Sequence, residues 1–137
     1  MIAIGSDHGG FELKGHIIEH LKEKGIEVKD FGTYSEASVD YPDCAKPVCK
    51  AVLDGECECG ILICGTGIGI SMAANKFKGI RAALCGDVFS AKMSKEHNNA
   101  NVICMGGRVL GRELANMIVD TYLCLLYTSP SPRDVEE

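Results

Sequence analysis

The chain has 137 residues, 46% of them hydrophobic and 24% charged, with a formal net charge of −5. That length supports one domain with its own core and is short for two, and the acidic balance excludes non-specific nucleic-acid binding, since no basic stripe exists to release counterions. Met1-Ile2-Ala3-Ile4 runs straight into polar Ser6-Asp7-His8 and no apolar run approaches membrane-spanning length, so a cytoplasmic protein with no membrane partner is expected.

Taken in order, Ile2-Ala3-Ile4 is a brief strand closed by Gly5. Phe11 to Lys24 carries Leu13, Ile17, Ile18 and Leu21 at helical spacing and stops at Gly25. Ile26 to Asp30 alternates and predicts a second strand near the sheet edge. A polar stretch, Gly32 to Tyr41, leads to a helix over Pro42 to Leu53, whose apolar face is Ala45, Val48, Cys49, Val52 and Leu53. Gly60 to Cys64 is the third strand, and Ser71 to Lys76 is helix-compatible. Ile80 to Cys85 predicts the fourth strand, with Asp87 as N-cap of a helix reaching Glu96. Asn101 to Met105 is the fifth strand, and a last helix runs from Gly111 to Leu126.

Five strand–helix units in sequence predict an α/β fold: a three-layer αβα sandwich around a five-stranded parallel, Rossmann-like sheet. The domain is expected to span residues 1–126. Residues 127–137, with Pro130 and Pro132 in a Ser-Pro run, are expected to be a disordered tail of different origin.

Ligands of such sheets bind beyond the carboxyl ends of the strands. The loops there hold Ser6-Asp7-His8-Gly9-Gly10, Phe31-Gly32-Thr33, Gly65-Thr66-Gly67-Ile68-Gly69, Gly86-Asp87 and Gly106-Gly107-Arg108. His97 and Asn98 precede the fifth strand, so they fall at the opposite edge and would meet the site only through a second subunit.

Cys64 ends an apolar strand directly before a Gly-x-Gly-x-Gly turn. Unpaired amides and the positive end of a helix dipole make such a turn an anion cradle, and the same field acidifies a thiol on its rim. A phosphatase loop needs arginine where Ile70 stands, and a nucleotide P-loop needs Lys-Ser or Lys-Thr after its last glycine. A dinucleotide fingerprint would follow the first strand, where polar, charged Ser6-Asp7-His8 stands instead. What remains is a thiol facing a small anionic substrate.

Other readings are plainer. The remaining cysteines form no Cys-x-x-Cys pair, and Cys57-Glu58-Cys59 has no further ligands at zinc spacing, so buried or incidental thiols are expected and no metal site. His16 and His20 read as a solvated helix surface, and Arg81 as the partner of a surface carboxylate. His8 stands between a loop role and a site role, with Asp7 favouring the site; His97 also suits a helix C-terminal cap.

Ser6-Asp7-His8-Gly9-Gly10, Asp40-Tyr41-Pro42, the segment from Gly60 to Ser71, Ala74-Asn75-Lys76, and His97-Asn98 through Gly107-Arg108 together resemble type B ribose-5-phosphate isomerases. The wider group acts on galactose and allose 6-phosphates. The resemblance spans about residues 1–125 and implies interconversion of an aldose 5-phosphate and its ketose through a cis-enediolate. It implies Cys64 as the base that moves the proton and the amides of Gly65, Gly67, Ile68 and Gly69 as the oxyanion site. His97, with Thr66 near it, would open the furanose ring. Asp7 and His8 would bind hydroxyls or phosphate, with Asn98 and Arg108 completing the pocket. No metal or organic cofactor is implied. The partners implied are a small sugar phosphate and a second copy of the chain, in a homodimer or dimer of dimers with the site between subunits.

The end of the chain departs from the family pattern, which supplies two phosphate-gripping arginines after the last helix. Arg133 stands in Ser-Pro-Arg-Asp without that motif, so the role is not carried over to it. A truncation joined to foreign sequence is the reading this suggests. Two alternatives follow: an isomerase of a six-carbon sugar phosphate, or a sugar-phosphate-binding module with weak or no turnover.

Overall fold

The computed structural model describes residues 1–32 and 41–128. Its strands are β1 (Ile2–Ser6), β2 (Val28–Asp30), β3 (Cys59–Cys64), β4 (Ala82–Leu84) and β5 (Val102–Gly106). The helices are α1 (Phe11–Glu23), α2 (Tyr41–Leu53), α3 (Ile68–Ala74), α4 (Val88–Glu96) and α5 (Arg112–Thr128), with a single 3-10 turn at His8–Gly10. Every pairing is parallel and the order is β2-β1-β3-β5-β4.

Strand periodicity explains the layers. Side chains alternate across a strand, so odd and even positions enter different cores. Ile2, Ile4, Ile61, Ile63, Ile103 and Met105 pack with α1, α4 and α5 through Leu13, Ile17, Ala91, Ile118 and Tyr122. Ala3, Leu62, Cys64, Val102 and Cys104 face the other way, onto Ala45, Val48 and Cys49 of α2 and Ile70 and Ala74 of α3. The central strands are therefore apolar on both faces, and each fully buried isoleucine contributes about 1.5–3 kcal/mol. The same burial carries α2 through Pro47 in its interior.

Several boundaries differ from the sequence reading. Edge strands are shorter than expected: β2 begins at Val28 and β4 covers only Ala82–Leu84. At β4 the flanking residues are drawn into turns, with the Ile80 amide bonded to the Phe77 carbonyl. α3 starts at Ile68, which places Ile68 and Gly69 in its first turn. α5 continues to Thr128, so Tyr127 and Thr128 are helical rather than tail. Residues 33–40, including Asp40 of the expected Asp-Tyr-Pro motif, and the rest of the tail lie outside the described residues.

The order reverses at β1, with β2 on one side and β3 on the other. This is the switch point of a doubly wound sheet, where a crevice opens between diverging loops. Asp7 follows β1 and Cys64 ends β3, so both stand at that point.

Candidate active site

Three loops meet at the carboxyl edge, and glycines let them interlock. A Cβ on Gly9 would sit 2.9 Å from the Gly65 nitrogen, one on Gly107 2.6 Å from the Gly9 oxygen, and one on Gly106 2.7 Å from the Thr66 carbonyl carbon. The β5 loop extends the parallel ladder onto the β3 loop: Gly107 N–H donates to the Cys64 carbonyl at 2.7 Å, and Arg108 N–H to the Gly65 carbonyl at 3.0 Å. The backbones are thus held closer than any side chain would allow.

Cys64 is fully buried, and its Sγ accepts the Gly67 N–H at 3.0 Å. Gly67 holds φ +85° and is the N-cap of α3. Thr66 Oγ1 accepts the Ile68 N–H at 3.2 Å. Two of the loop amides expected to hold an oxyanion are therefore engaged within the loop, one of them on the sulfur. Gly65 is half-buried and Thr66 exposed, so the loop rim faces solvent above the thiol.

Burial pushes the Cys49 and Cys85 thiols up to about 11 and Cys59 up to about 12, and raises Cys104 well above the ordinary value. They are packing groups, as expected; Cys124 is exposed. Among the described residues no three His, Cys, Asp or Glu side chains come together as a metal-holding group.

Asp7 is 2% exposed, and its Oδ1 accepts the Gly9 and Gly10 N–H groups at 2.8 and 3.2 Å. It thereby shapes the 3-10 turn that carries His8. Asp7 Oδ2 lies 4.0 Å from His8 Nδ1, too far for a hydrogen bond. His8 Nδ1 and Ser6 Oγ are buried without a hydrogen-bond partner among the described residues. His8, Gly9, Glu12, Gly107 and Arg108 line a polar crevice of about 200 Å³. The Arg108 side chain crosses Gly65, its Nη1 3.6 Å from where a Cβ would be. Glu12 is a member that sequence reasoning missed: an acid in the first turn of a helix reads simply as a complement to the dipole. A second crevice of about 390 Å³ beside the turn includes Thr66, Ile68, Leu84, Gly86 and Val109.

His97 and Asn98 are not in this cluster. His97 is the C-cap of α4, its N–H bonded to the Met93 carbonyl at 2.9 Å. Since α4 leads back to the start of β5, His97 lies at the sheet edge opposite Cys64. Asn98 borders a groove of about 590 Å³ with Asn75, Arg81, Ser90 and Met93. Two surface readings need correction. Among the described residues Arg81 pairs with no carboxylate; its Nε donates to the Asn99 carbonyl at 2.8 Å, because the turn after α4 presents that carbonyl to it. His20 is not a solvated side chain but ties α1 to α5, its Nε2 2.8 Å from Asp120 Oδ1. No helix among the described residues is long and apolar enough to cross a membrane.

Comparison with known proteins agrees with this geometry. The ribose/galactose isomerase family profile matches residues 2–134. Ribose-5-phosphate isomerase B of Escherichia coli K12 is 56% identical over 126 residues, covering 92% of this chain and 85% of the relative. Galactose-6-phosphate isomerase subunit LacB of Clostridium acetobutylicum is 48% identical, covering 90% of this chain and 71% of the relative. The structure of Clostridium thermocellum ribose-5-phosphate isomerase B superposes with a TM-score of 0.88 at 58% identity, covering 89% of this chain and 82% of that one. With its five parallel strands, its glycine-locked carboxyl edge and this likeness along nearly its whole length, the chain belongs to the ribose/galactose isomerase family.

Proposed function

We propose that the chain is an aldose–ketose isomerase interconverting ribose 5-phosphate and ribulose 5-phosphate in the cytoplasm. The observation that carries this reading is the Cys64 thiol at the switch point, its sulfur accepting the Gly67 N–H, in a chain so similar to ribose-5-phosphate isomerases. The greater likeness to the ribose enzymes than to the galactose subunit favours the pentose substrate.

Cys64 as thiolate takes the proton from C2 of the open-chain aldose. The carbonyl electrons move to O1, giving a cis-enediolate. The thiol then returns the proton to C1 while the O2 proton passes to O1, and the ketose carbonyl forms at C2. Of the turn's amides, those of Gly65 and Gly69 stabilise the oxyanion, while that of Gly67 serves the sulfur and that of Ile68 is held by Thr66. His8 and Arg108, which share one crevice, bind the phosphate, and Asp7 holds His8 in place.

Ring opening falls to His97 of the partner subunit, with Asn98 of the partner subunit beside it and Thr66 across the site. A two-fold dimer brings opposite sheet edges together. The exposed side chains of Met72, Leu84 and Phe89 near edge strand β4 supply an apolar surface for it. The chemistry requires neither metal nor organic cofactor.

Subunit mixing tests the reading. Cys64→Ala and His97→Ala should each be strongly impaired on ribose 5-phosphate. Refolded together in equal amounts they should regain roughly one quarter of the unmutated activity, because half the mixed dimers' sites are intact. Recovery of nothing from a confirmed mixed dimer would remove the shared site, and undiminished turnover by Cys64→Ala would remove the thiol from the mechanism.

A further inference from the structure

The turn after α4 carries His97 and Asn98, and its shape is unusually constrained. Asn99 has φ +49°, a left-handed conformation that costs a side-chain-bearing residue energy unless its surroundings hold it. Three groups from separate parts of the chain hold it here. Arg81 Nε donates to the Asn99 carbonyl at 2.8 Å. Lys95 Nζ donates to Asn99 Oδ1 at 2.6 Å, and Tyr122 OH, from α5, donates to the Ala100 carbonyl at 2.6 Å.

Arg81 is itself clamped. Its backbone N–H donates to Asn101 Oδ1 at 2.8 Å, while Asn101 Nδ2 and Arg81 Nη1 both reach the Gly79 carbonyl, at 2.9 and 3.4 Å. The guanidinium therefore joins the segment entering β4 to the turn between α4 and β5. Among the described residues the Arg81 side chain is held by carbonyls and by no carboxylate, so it serves backbone geometry rather than surface charge. His97 and Asn98 are exposed and project from this turn, so their direction follows from it.

We propose that Arg81 is a positioning residue for ring opening: by holding the Asn99 carbonyl it fixes the left-handed turn that aims His97 at the site of a second copy. This rests on the assignment of ring opening to His97. The two halves of the reaction can be separated chemically. Ribose 5-phosphate is mostly a closed furanose, whereas ribulose 5-phosphate stays open because its C5 hydroxyl carries the phosphate. Proton exchange at C1 of ribulose 5-phosphate therefore needs Cys64 but no ring opening.

The test follows turnover of ribose 5-phosphate and, by NMR in deuterated water, deuterium entry at C1 of ribulose 5-phosphate. Arg81→Leu should lower turnover by roughly 10–100-fold, the scale of a misplaced catalytic group, while leaving exchange within about 3-fold. His97→Ala should show the same split and Cys64→Ala should lose both. Arg81→Lys, which keeps one donor, should fall between, and Asn99→Gly, which adopts positive φ freely and keeps the carbonyl, should stay near full turnover. These two milder variants preserve the test if the leucine variant folds poorly. Full turnover in a folded Arg81→Leu, or equal loss of turnover and exchange in Arg81→Lys, overturns the Arg81 assignment alone. A His97→Ala variant without the split overturns the ring-opening role and this proposal with it.

Discussion

The Cys64 sulfur and the Gly67 amide are 3.0 Å apart, and that contact joins the last residue of β3 to the N-cap of α3. A chain reversal this tight needs Gly67 at positive φ, and in return the amide points at the sulfur rather than at solvent. One turn thus builds both the thiol proposed as the base and the amide that meets it.

Replacing Cys64 by Ala should lower turnover by about 10²–10⁴-fold, the usual contribution of a positioned general base. The side chain removed is small, so the variant should still fold. Steady-state kinetics alongside a thermal melt check this; a melt far below that of the unmutated protein would instead make Cys64 chiefly a packing group.

Gly67→Ala should destabilise the fold by about 1–3 kcal/mol and reduce activity as well, since it combines backbone strain with overpacking. The new Cβ would stand 2.5 Å from Leu84 Cδ1 and 2.8 Å from the Met105 carbonyl carbon. The leucine can turn away, but the β5 backbone cannot. A lowered urea midpoint is the expected readout, and an unchanged midpoint would contradict the close packing.

Tyr122→Phe leaves the buried Ala100 carbonyl without its donor and should cost about 1–3 kcal/mol in chemical denaturation. The ring itself still fills its place between α5 and the sheet. A loss well below that range would mean that water or a neighbouring donor replaces the hydroxyl.

Alkaline pH should weaken the fold. Burial holds Cys49 and Cys85 near about 11 and Cys59 near about 12, against an ordinary 9.0. Below that ordinary value the thiols are protonated in both states. Above it the unfolded chain ionises first and binds fewer protons, so stability falls as pH rises through the window between the two values. Urea midpoints at about pH 7 and about pH 10 should show the decline, and Cys59→Val should flatten it. Equal midpoints for the unmutated protein at both pH values would argue against this origin.

Much of this was legible in one dimension. The continuous apolar run Ile61-Leu62-Ile63 reports burial on both faces, and the helical spacing of Leu13, Ile17 and Leu21 reports contact with one layer. The centres of all five strands were readable for that reason. Edges were less so, because the ends of β2 and β4 depend on whether a neighbouring strand is present, and the start of α3 depends on where Gly67 turns. Cys64 was legible as a candidate because its glycine turn is local. The close approach of Gly9 to Gly65 and of Gly107 to Gly9 left no trace beyond the glycines themselves.

By itself, then, the sequence determined the α/β alternation, the doubly apolar central strands and the thiol at a glycine turn, since each depends on residues near one another in the chain. Only the tertiary structure decided that Asp7 caps the turn bearing His8, that Glu12 and Arg108 share one crevice, and that Arg81 serves the turn beside His97 rather than the surface. Glu12 and Arg108 are far apart in sequence, and the partners that Asp7 and Arg81 find are backbone groups. A backbone carbonyl is the same at every position, so nothing in the string of side chains marks which one an arginine will find.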